Sequence, residues 1–402
     1  MFMEPVNTEE LTKLILGLKN SAPGHDEILP KFLKLSINCI IDPLLHVCNL
    51  SLSNGVFPSE LKVAKVVPIF KGGDTTKLTN YRPVSILSVV SKVLERLMYN
   101  RMFSFIEKYK ILYDYQFGFR IKHSTHMALS LFIDKLTHYI ENGEHSIGVY
   151  LDFSKAFDTI DHDILYMKLH HYGFRSHVLD WIKSYMSNRC QYVSYNGHDS
   201  MMQDISCGVP QGSILGPLLF LLYINDLGNI CQNLSAFMFA DDTSLLGHDT
   251  DISVLKAKVN DDLVIISSWL NANKLSLNLS KSQFMLFTRK HFTLTDINIT
   301  VNNVCIDRVN KVKFLGTIMD DKLNWQEHIT YICKKVSKCI GILYKLRQYV
   351  DINTAKLLYY TLVYPYLTYC NIVWGNTFKQ YLRPLMVIQK KAVRIIVGNR
   401  IF

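Results

Sequence analysis

The feature that most constrains this chain is an apolar segment, residues 235–246, broken in its middle by two adjacent carboxylates, Asp241 and Asp242. Apolar, β-prone residues on both sides of a two-residue polar break predict a hairpin whose tight turn is Asp241-Asp242. Because like charges in one turn repel, either one carboxyl group has a raised pKa or a cation lies between the two. Asp also favours ordinary solvated turns. The hairpin alone leaves a metal site and a plain turn equally open.

Length and composition indicate a large globular protein. At 402 residues the chain exceeds the about 250–300 residues at which single cores stop growing, so we expect more than one domain or one lobed enzyme. Its 49% hydrophobic and 19% charged residues are not those of a disordered chain. The apolar runs are shorter than the about 20 residues that span a membrane, and the N-terminus has no signal-peptide pattern. The nine cysteines form no CxxC motif or His/Cys cluster, so we expect a reducing, intracellular setting.

The positive charge of the chain is local. The net charge is +10, and residues 321–402 carry thirteen Lys or Arg against three acidic residues, which accounts for the whole excess. A basic lobe on a neutral body predicts a polyanion bound at one place, with nucleic acid as the leading candidate. A helix in this lobe has one apolar face and a separate stripe formed by Lys334, Lys338 and Lys345. A solvated face is the other interpretation of that stripe.

A third carboxylate, Asp152, ends a predicted strand. Strand alternation places it on the face opposite Val149 and Leu151. A helix N-cap is the alternative role for an Asp at such a junction. Between Asp152 and the hairpin lies the loop 208–213, whose two glycines allow the backbone to approach a ligand closely. A plain loop before a core helix is the alternative there.

Two cations, Lys71 and Arg82, flank a flexible loop after a predicted strand at residues 65–71. They are placed as two groups that hold a polyphosphate would be, although ordinary surface charges are the alternative. Residues 81–85 are predicted to open a long helix that runs past Arg101.

The three carboxylates have the chemistry of a two-metal site. Two Mg²⁺ about 3.5–4 Å apart, with Mn²⁺ as a possible substitute, need several carboxylates on rigid elements to activate a 3′-hydroxyl and stabilise leaving pyrophosphate. Asp152 can bridge both ions and Asp241 can complete the cage. Asp242 is then the weaker or outer ligand.

Seven short blocks, taken in order, resemble the reverse transcriptases of non-LTR (LINE-type) retrotransposons, and their pattern is closest to the jockey-like elements. Any one block is weak evidence, but the order is specific, and the resemblance covers nearly the whole chain. The blocks are YRPVSIL at 81–87, QFGFR at 116–120, LDFSKAFD at 151–158, GVPQGS at 208–213, FADD at 239–242, Asn278 with Lys281, and FLG at 314–316.

The resemblance implies an α+β fold of the right-hand polymerase type, with fingers, palm and thumb and an antiparallel palm sheet covered by helices. Residues 1–145 would form the fingers with an N-terminal extension, 146–320 the catalytic palm with a primer grip near 314–316, and 321–402 the basic helical thumb. The reverse transcriptase domain would cover approximately 50–320.

The resemblance also implies roles for individual residues. Phe157 falls at the steric-gate position, where a ring excludes a ribose 2′-hydroxyl and selects dNTPs. Lys281 is the candidate general acid for pyrophosphate. The remaining assignments are Asp152, Asp241 and Asp242 for Mg²⁺, Lys71 and Arg82 for the triphosphate, Gln211 and Gly212 for the nucleotide and template, Phe314, Leu315 and Gly316 for the primer end, and Lys334, Lys338 and Lys345 for the nucleic-acid backbone.

The expected function is therefore RNA-directed DNA synthesis by two-metal nucleotidyl transfer, with an RNA template, a DNA primer and dNTPs as partners. We expect it in the nucleus and cytoplasm, away from membranes; the sequence gives no oligomeric state. A catalytically silent nucleic-acid-binding remnant is the alternative, and an RNA-dependent RNA polymerase is a third interpretation. No endonuclease or zinc-knuckle pattern of full-length elements is found, so we expect a polymerase segment, a truncated copy or a gene fragment.

Overall fold

The structure is a computed structural model that describes residues 1–289 and 297–398. Helices and strands occur in groups along the described residues, and the last five elements are all helices. The helices are α1 (Thr8–Leu16), α2 (Pro30–Leu35), α3 (Ile37–Asn54), α4 (Val89–Lys108), α5 (Thr125–Glu141), α6 (His162–His171), α7 (His177–Met186), α8 (Gly216–Ile224), α9 (Leu227–Ile230), α10 (Ile252–Ala272), α11 (Gln326–Leu346), α12 (Ile352–Leu362), α13 (Tyr364–Thr368), α14 (Asn371–Trp374) and α15 (Lys379–Val397). The strands are β1 (Val63–Phe70), β2 (Tyr81–Ile86), β3 (His145–Leu151), β4 (Arg189–Tyr195), β5 (His198–Asp199), β6 (Gln203–Ile205), β7 (Ser235–Phe239), β8 (Asp242–Asp249), β9 (Gln283–Phe287), β10 (Thr300–Val301), β11 (Val304–Cys305), β12 (Asp307–Arg308), β13 (Lys311–Phe314) and β14 (Thr317–Asp320).

The chain divides into two compact units, each built from three separate segments. The first unit comprises Met1–Phe119, Phe153–Asn229 and Ser268–Ser276, and the second comprises Arg120–Asp152, Ile230–Ser267 and Leu277–Phe402. The first contains a mixed sheet of order β2-β1-β4-β5, with β6 also paired to β4. In that sheet β1 runs parallel to β4 and antiparallel to β2.

The prediction that residues 81–85 open a helix is wrong. They form β2, whose Arg82 pairs with Ile69 of β1, and the helix begins only at Val89 of α4. Pro83 explains the difference, because proline disfavours the helical conformation of the residue before it and lacks a backbone N–H. The hydroxyl of Ser88 accepts a hydrogen bond from the N–H of Val90 and so begins α4.

The second unit is built on a sheet of order β12-β9-β3-β8-β7. Its central strand, β3, runs antiparallel to both β8 and β9, whereas β12 runs parallel to β9. All 7 residues of β3 are buried, so both faces of the strand are covered. On α5, Phe132 packs against Phe237 of β7 with ring centroids 5.2 Å apart. The prediction of a fold with both α and β structure is confirmed as a mixed α/β chain with mixed sheets.

The C-terminal helices α11, α12 and α15 pack against one another within the second unit. The predicted apolar face of α11 is confirmed, because its buried residues recur at helical spacing. These are Ile329, Ile332, Val336, Ile340 and Leu343. Within residues 1–289 and 297–398, no helix is both long and apolar enough to cross a membrane.

Candidate active site

The carboxylate hairpin forms, but its turn lies one residue earlier than predicted. Phe239 of β7 pairs with Asp242 of β8, so the turn residues are Ala240 and Asp241. Ala240 has a φ of 57°, a left-handed conformation that costs free energy for a residue with a Cβ. Asp241 therefore belongs to the turn, whereas Asp242 is the first residue of a strand. Both are exposed.

Asp152 lies at the same end of the sheet as this hairpin. Leu151, the last residue of β3, pairs with Thr243 of β8. Asp152 comes directly after Leu151 and Asp242 comes directly before Thr243, so the two residues are at the same end of the antiparallel pair. The backbone of Asp152 is held on both sides: its N–H donates to the Ser282 hydroxyl at 3.3 Å, and its carbonyl accepts from the N–H of Asn278 at 2.7 Å. Asp152 is not a helix N-cap, because the helix that follows, α6, begins at His162.

Lys281 reaches the same end of the sheet from the turn before β9. Its Nζ lies 3.6 Å from Oδ2 of Asp152, and the two side chains are 66% and 40% exposed. An ion pair with this much water around it adds little to stability. The pair instead shows that a cationic group stands beside the first of the three carboxylates.

Asp242 has a higher proton affinity than an ordinary aspartate. Although Asp242 is exposed, protein atoms partly surround its carboxyl group, and this loss of water, with the negative charges of Asp241 and Asp152, raises its pKa to about 6. A divalent cation would relieve this repulsion, and carboxylate oxygens are the donors that Mg²⁺ and Mn²⁺ prefer. In the described part of the chain, however, no three or more His, Cys, Asp or Glu residues are arranged to hold a metal ion. The donor set fits a divalent ion in chemistry and charge, without a preformed cage.

A second hairpin in the same unit carries Phe314, Leu315 and Gly316. Strands β13 and β14 form it, and its turn residues Leu315 and Gly316 have φ values of 44° and 84°. Phe314 is buried, with its ring centroid 5.6 Å from that of Tyr150 on β3. The hydroxyl of Tyr369 donates to the carbonyl of Leu315 at 2.7 Å. The hairpin is thus fixed both to the sheet that ends in Asp152 and to the segment after α13.

In the first unit, the loop 208–213 packs against the segment that carries Phe157. The N–H of Val209 donates to the carbonyl of Phe157 at 2.9 Å, and the Gln211 side-chain amide donates to a carboxylate oxygen of Asp158 at 2.8 Å. Gly212 has a φ of 125°, and a Cβ there would collide with the carbonyl oxygen of Ser85. A glycine is therefore required at 212 by both backbone conformation and space.

The ring of Phe157 is held by two other rings of the first unit. It stacks on Phe220 with centroids 4.5 Å apart, and it meets Phe119 edge-on at 6.4 Å. Phe157 is half-buried, so part of the ring stays accessible.

The two predicted phosphate-binding cations lie at the loop end of the β1–β2 hairpin in the first unit. The N–H of Lys71 donates to the carbonyl of Asn80 at 2.8 Å, which closes the loop, and Arg82 is on β2. Both side chains are exposed, as are Lys334, Lys338 and Lys345 along α11 in the second unit. Lys71 and Arg82 flank a loop and the three lysines lie on a helix, as predicted, although Arg82 is on a strand instead of a helix. The binding roles of all five stay predictions.

Glu95, a residue that the sequence analysis missed, is a fully buried carboxylate on α4 of the first unit. Its Oε2 accepts a hydrogen bond from the N–H of Ile214 at 2.6 Å, directly after the loop 208–213. A charged residue at a core-facing position of an otherwise apolar helix face was the available signal.

Comparison with known proteins identifies the class. The sequence profile described as "Reverse transcriptase (RNA-dependent DNA polymerase)" matches residues 69–319, more than half of the chain. The chain therefore belongs to the reverse transcriptase family.

Individual relatives indicate which reverse transcriptases the chain is similar to. The chain is 29% identical, over 98% of its length, to the RNA-directed DNA polymerase from mobile element jockey of Drosophila melanogaster. It is 28% identical to the probable RNA-directed DNA polymerase from transposon X-element, and 29% identical to that from transposon BS, both of the same fly and both over 98% of this chain. The resemblance to non-LTR, jockey-like reverse transcriptases is thus confirmed. The chain spans only 44% of the jockey relative's length.

Proposed function

We propose that this chain is the polymerase portion of a non-LTR retrotransposon protein, which copies RNA into DNA by adding dNTPs to a primer 3′-hydroxyl. An RNA template, a DNA primer and dNTPs are its partners, in the nucleus and cytoplasm. The observation that carries the proposal is the placement of Asp152, Asp241 and Asp242 at one end of the second unit's sheet, where loss of water around its carboxyl group, together with the other two charges, raises the pKa of Asp242 to about 6. The membership of the reverse transcriptase family supports it.

Asp152, Asp241 and Asp242 would hold two Mg²⁺ ions, or Mn²⁺ in their place. When bound, the ions would supply activation of the primer hydroxyl and stabilisation of charge on the leaving pyrophosphate. Lys281 would donate a proton to that pyrophosphate, and its contact with Asp152 at 3.6 Å keeps the ammonium group at this end of the sheet. Phe314, Leu315 and Gly316 would position the primer end, on a hairpin whose backbone Tyr369 fixes.

In the first unit, Lys71 and Arg82 would bind the triphosphate, and Gln211 and Gly212 would lie against the nucleotide and template. Phe157 would exclude the ribose 2′-hydroxyl, because the stacked Phe220 stops its ring from swinging away.

The larger architecture belongs to the proposal as well. The chain would form a right-hand polymerase with fingers at 1–145, palm at 146–320 and thumb at 321–402. Lys334, Lys338 and Lys345 of the thumb would contact phosphates of the bound nucleic acid.

Primer extension on an RNA template with Mg²⁺ and dNTPs tests the function. The wild-type chain should extend the primer, and Asp152→Asn should not. The matched control is Asp249→Asn at the far end of β8, where Asp249 pairs with Lys258 at 2.7 Å. It removes a carboxylate from the same sheet and should leave extension intact. Binding of RNA without extension by the wild-type chain would leave only the nucleic-acid-binding remnant.

A further inference from the structure

The proposed chemistry makes no use of Glu95, yet its carboxylate is completely buried at 0% exposure. The Ser91 hydroxyl donates to Oε1 at 3.0 Å, and the N–H groups of Ile214 and Leu215 donate to Oε2 at 2.6 and 3.3 Å. Burying an ionised carboxylate is costly unless hydrogen bonds and an opposite charge compensate it. A carboxylate in this place therefore indicates a specific task for its hydrogen bonds.

Arg189 supplies the opposite charge. It is 1% exposed, its Nη1 donates to the carbonyl of Tyr185 at 3.0 Å, and its guanidinium lies 4.8 Å from the centre of the Tyr185 ring. Burial raises the pKa of Glu95, whereas the N–H of Ile214 and the positive charge of Arg189 act against that rise. The Glu95 carboxylate thus accepts hydrogen bonds from two backbone N–H groups and is also stabilised by the positive charge of Arg189.

Those two N–H groups follow directly on the loop 208–213. The beginning of the loop is fixed by the N–H of Gly208, which donates to the carbonyl of Ile160 at 2.8 Å, and its middle by the N–H of Ser85, which donates to the carbonyl of Gln211 at 2.7 Å. The hydrogen bonds from Ile214 and Leu215 to Glu95 fix its end. They also lie at the start of α8, where a negative charge is favourable.

We propose that Glu95 is a positioning residue for Gln211 and Gly212. Glu95 sets the affinity for the incoming dNTP by holding this loop in place. Through the contact of Val209 with Phe157, it also affects the rejection of rNTPs. Glu95 itself contacts neither kind of nucleotide. The inference rests on the proposed function of this loop. Residues that hold a binding loop in its productive geometry matter without touching the ligand. A misplacement of about 1 Å can cost about 100-fold in rate, and displaced binding groups also lose contacts with the bound ligand.

The central test compares three variants by dNTP KM, kcat and the ratio of dNTP to rNTP incorporation. Glu95→Leu removes both acceptor oxygens, and we expect KM for dNTP to rise about tenfold, since hydrogen bonds to a charged group are lost. Glu95→Gln keeps one oxygen that can accept from Ile214 and Leu215, so its KM should stay within about threefold of wild type. Ser91→Ala removes the hydrogen bond on the other side of the same carboxylate, and it is the matched control that should lower thermal stability without changing KM.

A double variant separates the positioning of the loop by Glu95 from the cost of leaving the Arg189 charge buried. Glu95→Leu leaves Arg189 buried without its counter-charge, whereas Glu95→Leu with Arg189→Met removes both charges. We expect the double variant to recover melting temperature but to keep the raised KM and the weaker rNTP rejection. If the single variant fails to fold, the double variant carries the test. A KM that returns to the wild-type value in the folded double variant would overturn the proposal.

Hydrogen exchange tests the inference without any activity. Amide exchange at Ile214 and Leu215 should quicken in Glu95→Leu, or in the double variant, and stay at the wild-type rate in Ser91→Ala. Unchanged exchange at these amides would refute the positioning role. A wild-type chain that extends no primer would refute the proposed function instead, and the exchange result would still decide whether Glu95 holds the loop.

Discussion

Asp241 and Asp242 are adjacent in sequence but differ in backbone setting. Asp241 lies in the turn with Ala240, whereas Asp242 begins β8 and has its pKa raised to about 6. At neutral pH a carboxyl group with a pKa of about 6 is largely ionised, so its proton competes with a bound cation only as the pH falls toward that value. The two residues therefore differ in backbone setting and in proton affinity, and an unequal contribution to catalysis, with Asp241 the stronger ligand, stays a prediction.

The first prediction follows from that inequality. Asp241→Asn should lower the rate of primer extension by about 1,000-fold or more, which is about 4 kcal/mol in the transition state. Asp242→Asn should cost about 10-fold to 100-fold. Single-turnover extension at saturating dNTP measures both, and equal losses would contradict the asymmetry.

A second prediction concerns the stability of the metal-free protein. Because Asp242 binds its proton more tightly in the folded state, its contribution is most favourable below about pH 4, near the ordinary pKa of 3.8, and is lost as pH rises through about 6. Asp242→Asn should therefore gain melting temperature relative to wild type between pH 4 and pH 7 in the presence of a chelator. Added Mg²⁺ at neutral pH should stabilise wild type more than the variant.

Asp249→Asn is the control for that experiment, because its melting temperature should change in the opposite direction. A hydrogen bond from the Asp251 N–H, with help from Lys258, lowers the pKa of Asp249. Its stabilising contribution is present above its ordinary pKa and lost in acid, so Asp249→Asn should lose melting temperature at neutral pH. Parallel pH profiles for the two variants would contradict both assignments.

A third prediction concerns Phe157. Phe157→Ala should weaken the rejection of rNTPs by about tenfold or more, because the ring that would meet the 2′-hydroxyl is gone. Incorporation of dNTPs by the same variant shows that the protein is folded. Phe119→Ala removes only the edge contact at 6.4 Å and should keep the rejection. Unchanged selectivity in Phe157→Ala would remove Phe157 from the gate role.

At the scale of the elements, the sequence predicted strands and helices where hydrophobic periodicity and punctuation agreed. The apolar face of α11 follows from spacing, whereas β3, which ends directly before Asp152, is buried at every residue and shows no alternation of buried and exposed positions. The errors arose where backbone conformation determined the structure. Pro83 favours a strand over a helix at residues 81–86. Ala240 has a positive φ, so the turn of the carboxylate hairpin lies one residue earlier than predicted. Glu95 was missed because its role depends on Ile214, which is 119 residues away in sequence.

A fourth prediction concerns the β13–β14 hairpin. Tyr369→Phe removes the hydroxyl that donates a hydrogen bond to the Leu315 carbonyl. The loss of this hydrogen bond should destabilise the turn by about 1 kcal/mol, so the KM for the primer should rise about fivefold. The KM for dNTP should not change. Tyr360→Phe, at an exposed tyrosine of α12, is the control. An effect on dNTP KM alone would contradict a primer role for this hairpin.

At the scale of the whole molecule, the chain passes repeatedly between its two units. Each unit takes three segments, so neither is a contiguous stretch of sequence. Hydrophobic periodicity cannot reveal such a division, because it reports only local structure. The charge is simpler: the excess of +10 lies in residues 321–402, all of them in the second unit.

A fifth prediction follows from this charge. RNA affinity should fall steeply with salt, and replacing Lys334, Lys338 and Lys345 with Gln should reduce the slope of log K against log salt by about 2–3, if each lysine contacts one phosphate. Lys13, Lys31 and Lys110, all exposed in the first unit, are the matched control triple and should leave the slope unchanged. A flat salt dependence of the wild-type chain would contradict the thumb assignment.

The complete burial of β3 bears on how firmly Asp152 is held in place. We expect the amides of a strand covered on both faces and paired on both edges to exchange mainly through unfolding of the whole unit. Asp152 is attached directly to the end of that strand, so local fraying does not displace it. Removal of the Asp152 carboxylate from this end of the sheet therefore requires either unfolding of the unit or replacement of the side chain itself.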